Sequence, residues 1–222
     1  MLVQIYEIRT PEEATAVVGL GVDHVGVLVG DGSFPRELPT ECASVIFAGL
    51  PANAKRVALS LSADPGEIAR VVEQTRPDII HIGAAIELFS ARETQALKSA
   101  FPAVQIMRSI PVVDKTSIEC ANEYRDIADF LLLDSHDPGD RQIGGLGRTH
   151  DWSVSRRIIE EVGVPAILAG GLDKDNVAGA IAAVRPAGVD SKTKTDREDG
   201  NGKDLDKVQR FVAAAKLTTS RR

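Results

Sequence analysis

Short apolar runs rich in β-branched residues alternate along this chain with longer stretches of helical period. The runs cover 3–8, 22–29, 56–61, 78–82, 104–110, 130–134, 166–169 and 188–191. Several are apolar almost throughout, as in Val25-Gly26-Val27-Leu28-Val29 and Phe130-Leu131-Leu132-Leu133. A strand with one wet face alternates apolar and polar residues, whereas one apolar on both faces belongs to a parallel sheet covered on each side. Eight runs in 222 residues leave about 28 residues per repeat, the length of one strand–helix unit.

The intervening segments carry helix starts. Thr10-Pro11-Glu12-Glu13 places a capping hydroxyl before a proline at the first helical position and two acids in the first turn. Asp64-Pro65-Gly66-Glu67 repeats the device, and Asp173-Lys174-Asp175-Asn176 opens an Ala-rich helix. Over Leu205–Leu217, Val208, Phe211, Val212 and Ala215 share one face, which predicts a closing helix. No Ser/Gly linker divides the chain, and the polar tract 192–206 is too short for a second domain. The pattern predicts an α/β fold, a single-domain (β/α)8 TIM barrel over 1–222. A doubly wound open sheet is the alternative, but the glycine fingerprint expected after its first strand is missing.

Composition narrows the function. Twenty-six Lys and Arg face 32 Asp and Glu, a net charge of −6, and aromatic residues make up 4%. Such a chain is poorly suited to nucleic acid, which selects for basic surfaces and stacking rings. No apolar stretch reaches the roughly 20 residues of a membrane span. Cys42 and Cys120 stand far apart in helical segments and make neither a disulfide framework nor a metal motif. The opening Met1-Leu2-Val3-Gln4-Ile5 reads as a strand and not as a signal peptide, so a cytoplasmic location is expected, with no membrane partner.

Barrels of this class carry their active sites at the C-terminal ends of the strands. That selects Tyr6 and Glu7, 29–36, Ser60, His81, Arg108, Asp134, Gly170 and Gly171, and 190–194. Gly170-Gly171 lie just before a helix start, where backbone N–H groups can approach an anion, and they follow strand seven, the usual place of a barrel phosphate site. Ile143-Gly144-Gly145-Leu146-Gly147-Arg148 is a Gly-rich loop after strand six, suited to closing over a ligand. Asp134 ends a dry apolar strand, where desolvation raises a carboxyl pKa and suits it to general-acid work; the alternative is an Asp that caps the next loop. His81 shares a facing with Ile79 and is a candidate base near neutral pH, or a hydrogen-bonded structural residue. No His, Cys or Asp pair has metal-ligand spacing, so no metal site is expected. Arg36, Arg108, Arg148, Lys192 and Lys194 are expected near the mouth, giving an acidic protein a basic entrance for a small anion.

Together these motifs resemble phosphoribosylanthranilate isomerase, the tryptophan-pathway barrel enzyme. The resemblance rests on Leu131-Leu132-Leu133-Asp134-Ser135, on Gly144-Gly145-Leu146-Gly147-Arg148-Thr149-His150-Asp151-Trp152, on Leu168-Ala169-Gly170-Gly171-Leu172 with Asn176-Val177, and on Gly202-Lys203-Asp204. It extends over nearly the whole chain. It implies a cofactor-free Amadori rearrangement of an aminoaldose phosphate to an aminoketose: an acid opens the ribose ring and a base removes the C2 proton. It assigns the acid to Asp134, substrate-carboxylate binding to Arg36, and phosphate binding to Gly170, Gly171 and the end of strand eight, where Asp190, Lys192 and Lys194 stand. Gly145 of the Gly-rich loop joins the binding set.

The departures from the family all lie at strand ends. Its first strand reads Lys-Ile-Cys-Gly with the cysteine as base; here Gln4-Ile5-Tyr6-Glu7 places Tyr6 at the base position and Glu7 in place of glycine. A phenol with a pKa near 10 is a poor base at neutral pH, which leaves His81 and Glu7 as replacements. The family's Val-Ser-Ser-Gly becomes Ser191-Lys192-Thr193-Lys194, trading close backbone approach for cationic charge. The expected partner is a small anionic, phosphorylated metabolite, and the expected state a monomer or homodimer. Beside the named isomerase stand two other readings. One is a paralogue with a different substrate and an isomerase, epimerase or lyase reaction. The other is a non-catalytic metabolite-binding barrel.

Overall fold

The computed structural model describes residues 1–137 and 139–217. Eight strands, β1 (Leu2–Ile5), β2 (His24–Leu28), β3 (Lys55–Ser60), β4 (Ile79–Ile82), β5 (Gln105–Pro111), β6 (Phe130–Asp134), β7 (Ala166–Leu168) and β8 (Gly188–Ser191), pair in parallel and in sequence order. Strand β1 closes on β8 with Gln4 opposite Asp190, so the sheet has no free edge. The helices α1 (Pro11–Gly19), α2 (Thr40–Ala48), α3 (Pro65–Thr75), α4 (Ala91–Ala100), α5 (Thr116–Asn122), α6 (Trp152–Val162), α7 (Val177–Val184) and α8 (Leu205–Leu217) fill the connections. This is the (β/α)8 barrel. The last five residues of the expected domain range lie outside the described residues.

The helix starts act as their chemistry dictates. The Thr10 hydroxyl accepts from Glu13 N ahead of Pro11, and the Asp64 carboxylate accepts from Gly66 N ahead of Pro65. The first apolar run stops as a strand at Ile5, short of the expected residue 8. Glu7 turns the backbone into the left-handed region, φ 58°, and takes it out of the ladder.

Two apolar layers result. Residues pointing outward from the strands, such as Val25, Val27, Ile80, Ile82, Leu131 and Leu133, pack against the helices. Inside the barrel, Val57, Ile79, Met107, Leu132 and Ile167 fill the base with Tyr6 above them. Polar interior residues are Gln4, His24, His81, Ser109 and Asp190, all buried and all on the inward face that alternation assigns them.

Candidate active site

Three side chains form a hydrogen-bonded row inside the barrel. His24 Nδ1 lies 3.1 Å from Gln4 Oε1, and Gln4 Nε2 donates to Asp190 Oδ1 at 3.3 Å. Gln4 thus holds one oxygen of Asp190. Alternation from Tyr6 places Gln4 on the inward face two residues earlier, a signal present in the sequence but not used above.

A second polar row crosses the barrel. The Tyr6 hydroxyl lies 2.5 Å from His81 Nδ1, and His81 Nε2 lies 2.7 Å from Ser109 Oγ. Burial, with the nearby Arg108 charge, pulls His81 down to about 3. A ring with that pKa is neutral and weakly basic at physiological pH, which corrects the expectation of a base near neutrality. Burial and the Asp190 carboxylate hold the Tyr6 phenol well above its usual 10. The ring of Tyr6 fits because position 26 on β2 is glycine: a Cβ there would sit 2.1 Å from the ring.

Asp134 ends β6 with Oδ1 accepting from Ser135 N at 2.7 Å. Burial lifts its carboxyl to about 6, the direction expected for a carboxylate leaving a dry strand. The Gly-rich loop wraps it: a Cβ at Gly144, φ 90°, would meet Asp134 Oδ2 at 2.1 Å. Across the mouth, burial and the Asp134 charge push Asp190 up to about 8.

These groups join two connected cavities. A narrow cradle is lined by Gly145, Gly147, Gly170, Gly171, Ser191, Lys192, Thr193 and Lys194, bringing together the expected phosphate-binding residues. An open cavity of about 250 Å³ is lined by Tyr6, Glu7, Pro35, Arg36, His81 and Ile143, among others. Asp134, Asp190, Gly145 and Lys192 line both and form the neck between them.

Three charged residues frame the open cavity. Glu7 Oε2 lies 2.7 Å from Arg36 Nη1, and Glu7 Oε1 lies 2.9 Å from Lys192 Nζ. Arg36 Nη2 also donates to the Gly200 carbonyl at 2.7 Å. Lys203, fully buried, donates to the Lys192 carbonyl at 3.1 Å and to Asp196 at 2.6 Å, fixing the end of β8 from behind.

Two cations expected at the mouth lie elsewhere. Arg108 is fully buried and donates to the carbonyls of Ile82, Ala84 and Phe89, because its place on β5 points it outward under the β4–α4 connection. Arg148 pairs on the surface with Asp137.

The profile of the N-(5′-phosphoribosyl)anthranilate (PRA) isomerase family matches residues 3–214. The enzyme so named from Methanocella arvoryzae is 36% identical over 219 residues, 97% of this chain and 98% of that one. The one from Haloferax volcanii is 33% identical over 96% of this chain and 92% of its own. Among solved structures, phosphoribosylanthranilate isomerase from Thermotoga maritima superposes with a TM-score of 0.79 at 26% identity, covering 98% of this chain and 99% of that one. A phosphoribosylanthranilate isomerase in complex with reduced 1-(o-carboxyphenylamino)-1-deoxyribulose 5-phosphate gives 0.77 at 25%, over 98% and 100% of the two chains. Full-length likeness in sequence, joined to the same closed barrel, places this chain in the N-(5′-phosphoribosyl)anthranilate isomerase family.

Proposed function

We propose that this protein isomerises N-(5′-phosphoribosyl)anthranilate to the aminoketose 1-(o-carboxyphenylamino)-1-deoxyribulose 5-phosphate, with Asp134 as acid and Asp190 as base. The supporting observation is the neck. Its two carboxylates stand between a glycine-lined cradle suited to phosphate and an open cavity that holds Arg36. A substrate with phosphate at one end and a carboxylated ring at the other spans these cavities with its ribose between the two acids.

The chemistry follows from their protonation. Carboxyls at about 6 and about 8 hold close to one proton between them at neutral pH; it rests mainly on Asp190, and the reactive form is the minority one in which that proton has passed to Asp134 and left Asp190 as base. Asp134 protonates the ring oxygen as the C1–O bond breaks and the nitrogen lone pair forms C1=N. Asp190 then takes the C2 proton; the C2–H electron pair becomes C1=C2, and the C1=N pair returns to nitrogen. Tautomerisation of this enaminol gives the ketone, C1 gaining one proton and the enol oxygen losing one, so both carboxyls return to their starting states. Tyr6, a neutral phenol hydrogen-bonded to His81, and His81 itself serve as cavity floor in this scheme.

The test is direct. Purified protein should convert phosphoribosylanthranilate and complement a tryptophan auxotroph. Asp134→Asn and Asp190→Asn should each lower kcat by about 10²–10⁴. Full turnover by either variant would remove that residue from its role, and an inactive wild type would remove the substrate.

A further inference from the structure

Glu7 holds a backbone conformation that side chains avoid, φ 58°, where the resembled family carries glycine. Strain of this kind persists only where surrounding contacts enforce it. Here both carboxylate oxygens are engaged, one by Arg36 at 2.7 Å and the other by Lys192 at 2.9 Å, and the Glu7 side chain is largely buried. Arg36 itself sits at φ 72°, with its remaining terminal nitrogen tied to the Gly200 carbonyl. The guanidinium, which lines the open cavity, is therefore already engaged by carboxylates belonging to the protein, closely by Glu7 and more distantly by Asp196 Oδ2 at 3.8 Å.

We infer that Glu7 is a specificity-determining residue that fills the carboxylate subsite of the cavity. An incoming ligand places its own carboxylate on Arg36 only by exchanging it for that of Glu7. The inference rests on the reading above, in which Arg36 receives the carboxylate of the aromatic ring. Two carboxylates cannot share one guanidinium edge and one ammonium group without mutual repulsion. The exchange therefore sets a threshold that favours ligands with a carboxylate placed to take both cations. It also spares ligands that leave Arg36 alone, which bind beside an undisturbed Glu7.

The probe is reduced 1-(o-carboxyphenylamino)-1-deoxyribulose 5-phosphate, compared with its analogue lacking the ring carboxylate, by calorimetry on wild type, Glu7→Gln and Glu7→Gly. Glu7→Gln keeps the volume and removes the charge; Glu7→Gly also relieves the backbone. Both variants should bind the carboxylated probe about tenfold tighter than wild type, about 1.4 kcal/mol. The decarboxylated probe should change by less than threefold. Unchanged or weaker binding of the carboxylated probe by Glu7→Gln overturns the inference, as does an equal gain for both probes. Failure of wild type and both variants to bind either probe overturns the substrate reading itself, whereas binding by the variants alone supports the exchange.

Discussion

At the scale of single residues, Asp190 carries the largest consequence. Its carboxyl is held at about 8 by burial and by the charge of Asp134, against about 4 in an unfolded chain. The folded state thus keeps a proton that the unfolded chain releases, and stability falls as pH rises from about 4 to about 8. Asparagine in its place keeps an oxygen for Gln4 and cannot ionise. Asp190→Asn should therefore match wild type in melting temperature near pH 4 and exceed it by about 5 °C or more at pH 9. Parallel melting curves across that range would show that Asp190 ionises freely in the native protein. The residue proposed as base then makes the fold less stable, as expected where charge is held in place for chemistry. Asp134 was legible in the sequence because a lone carboxylate ends an apolar run. Asp190 was legible as a candidate at the end of a strand, but its raised pKa depends on burial and on Asp134 across the mouth, which no linear pattern contains.

At the scale of elements, the residue that follows β1 packs onto β2, the Tyr6 ring filling the space left by Gly26. Gly26→Ala should destabilise the protein by about 1–3 kcal/mol in urea unfolding, the range for overpacking a filled core. Combined with Tyr6→Ala it should cost less than the sum of the two single changes; strict additivity would mean that the two positions do not touch. The sequence made the strands and helix caps readable because period and capping chemistry are local. It did not show that Gly26 makes room for Tyr6, since glycine within a strand gives no sign of what approaches it. Nor did it show where β1 ends: the left-handed turn at Glu7 is imposed by Arg36 and Lys192, residues far along the chain.

At the scale of the whole molecule, Arg108 marks the limit of reasoning from strand ends alone. It was expected at the mouth, yet it lies behind β5 and binds the carbonyls of Ile82 at the end of β4 and of Ala84 and Phe89 in the connection to α4. A cation so enclosed is held by its hydrogen bonds, and its loss strands those acceptors. Arg108→Met should cost about 3–5 kcal/mol in denaturant unfolding. A change below 1 kcal/mol would show that the connection is held by other contacts. The Tyr6 hydroxyl, His81 and Ser109 span β1, β4 and β5, and Gly26 of β2 receives the ring, so four strands are committed to one aromatic residue. A smaller side chain at position 6 would leave His81 Nδ1 without the phenol and empty the space at Gly26, and each repair would need its own substitution. The fit between Tyr6 and Gly26 works as a ratchet: a smaller side chain at position 6 leaves a void and a larger one at position 26 leaves a clash, so neither position can change well without the other.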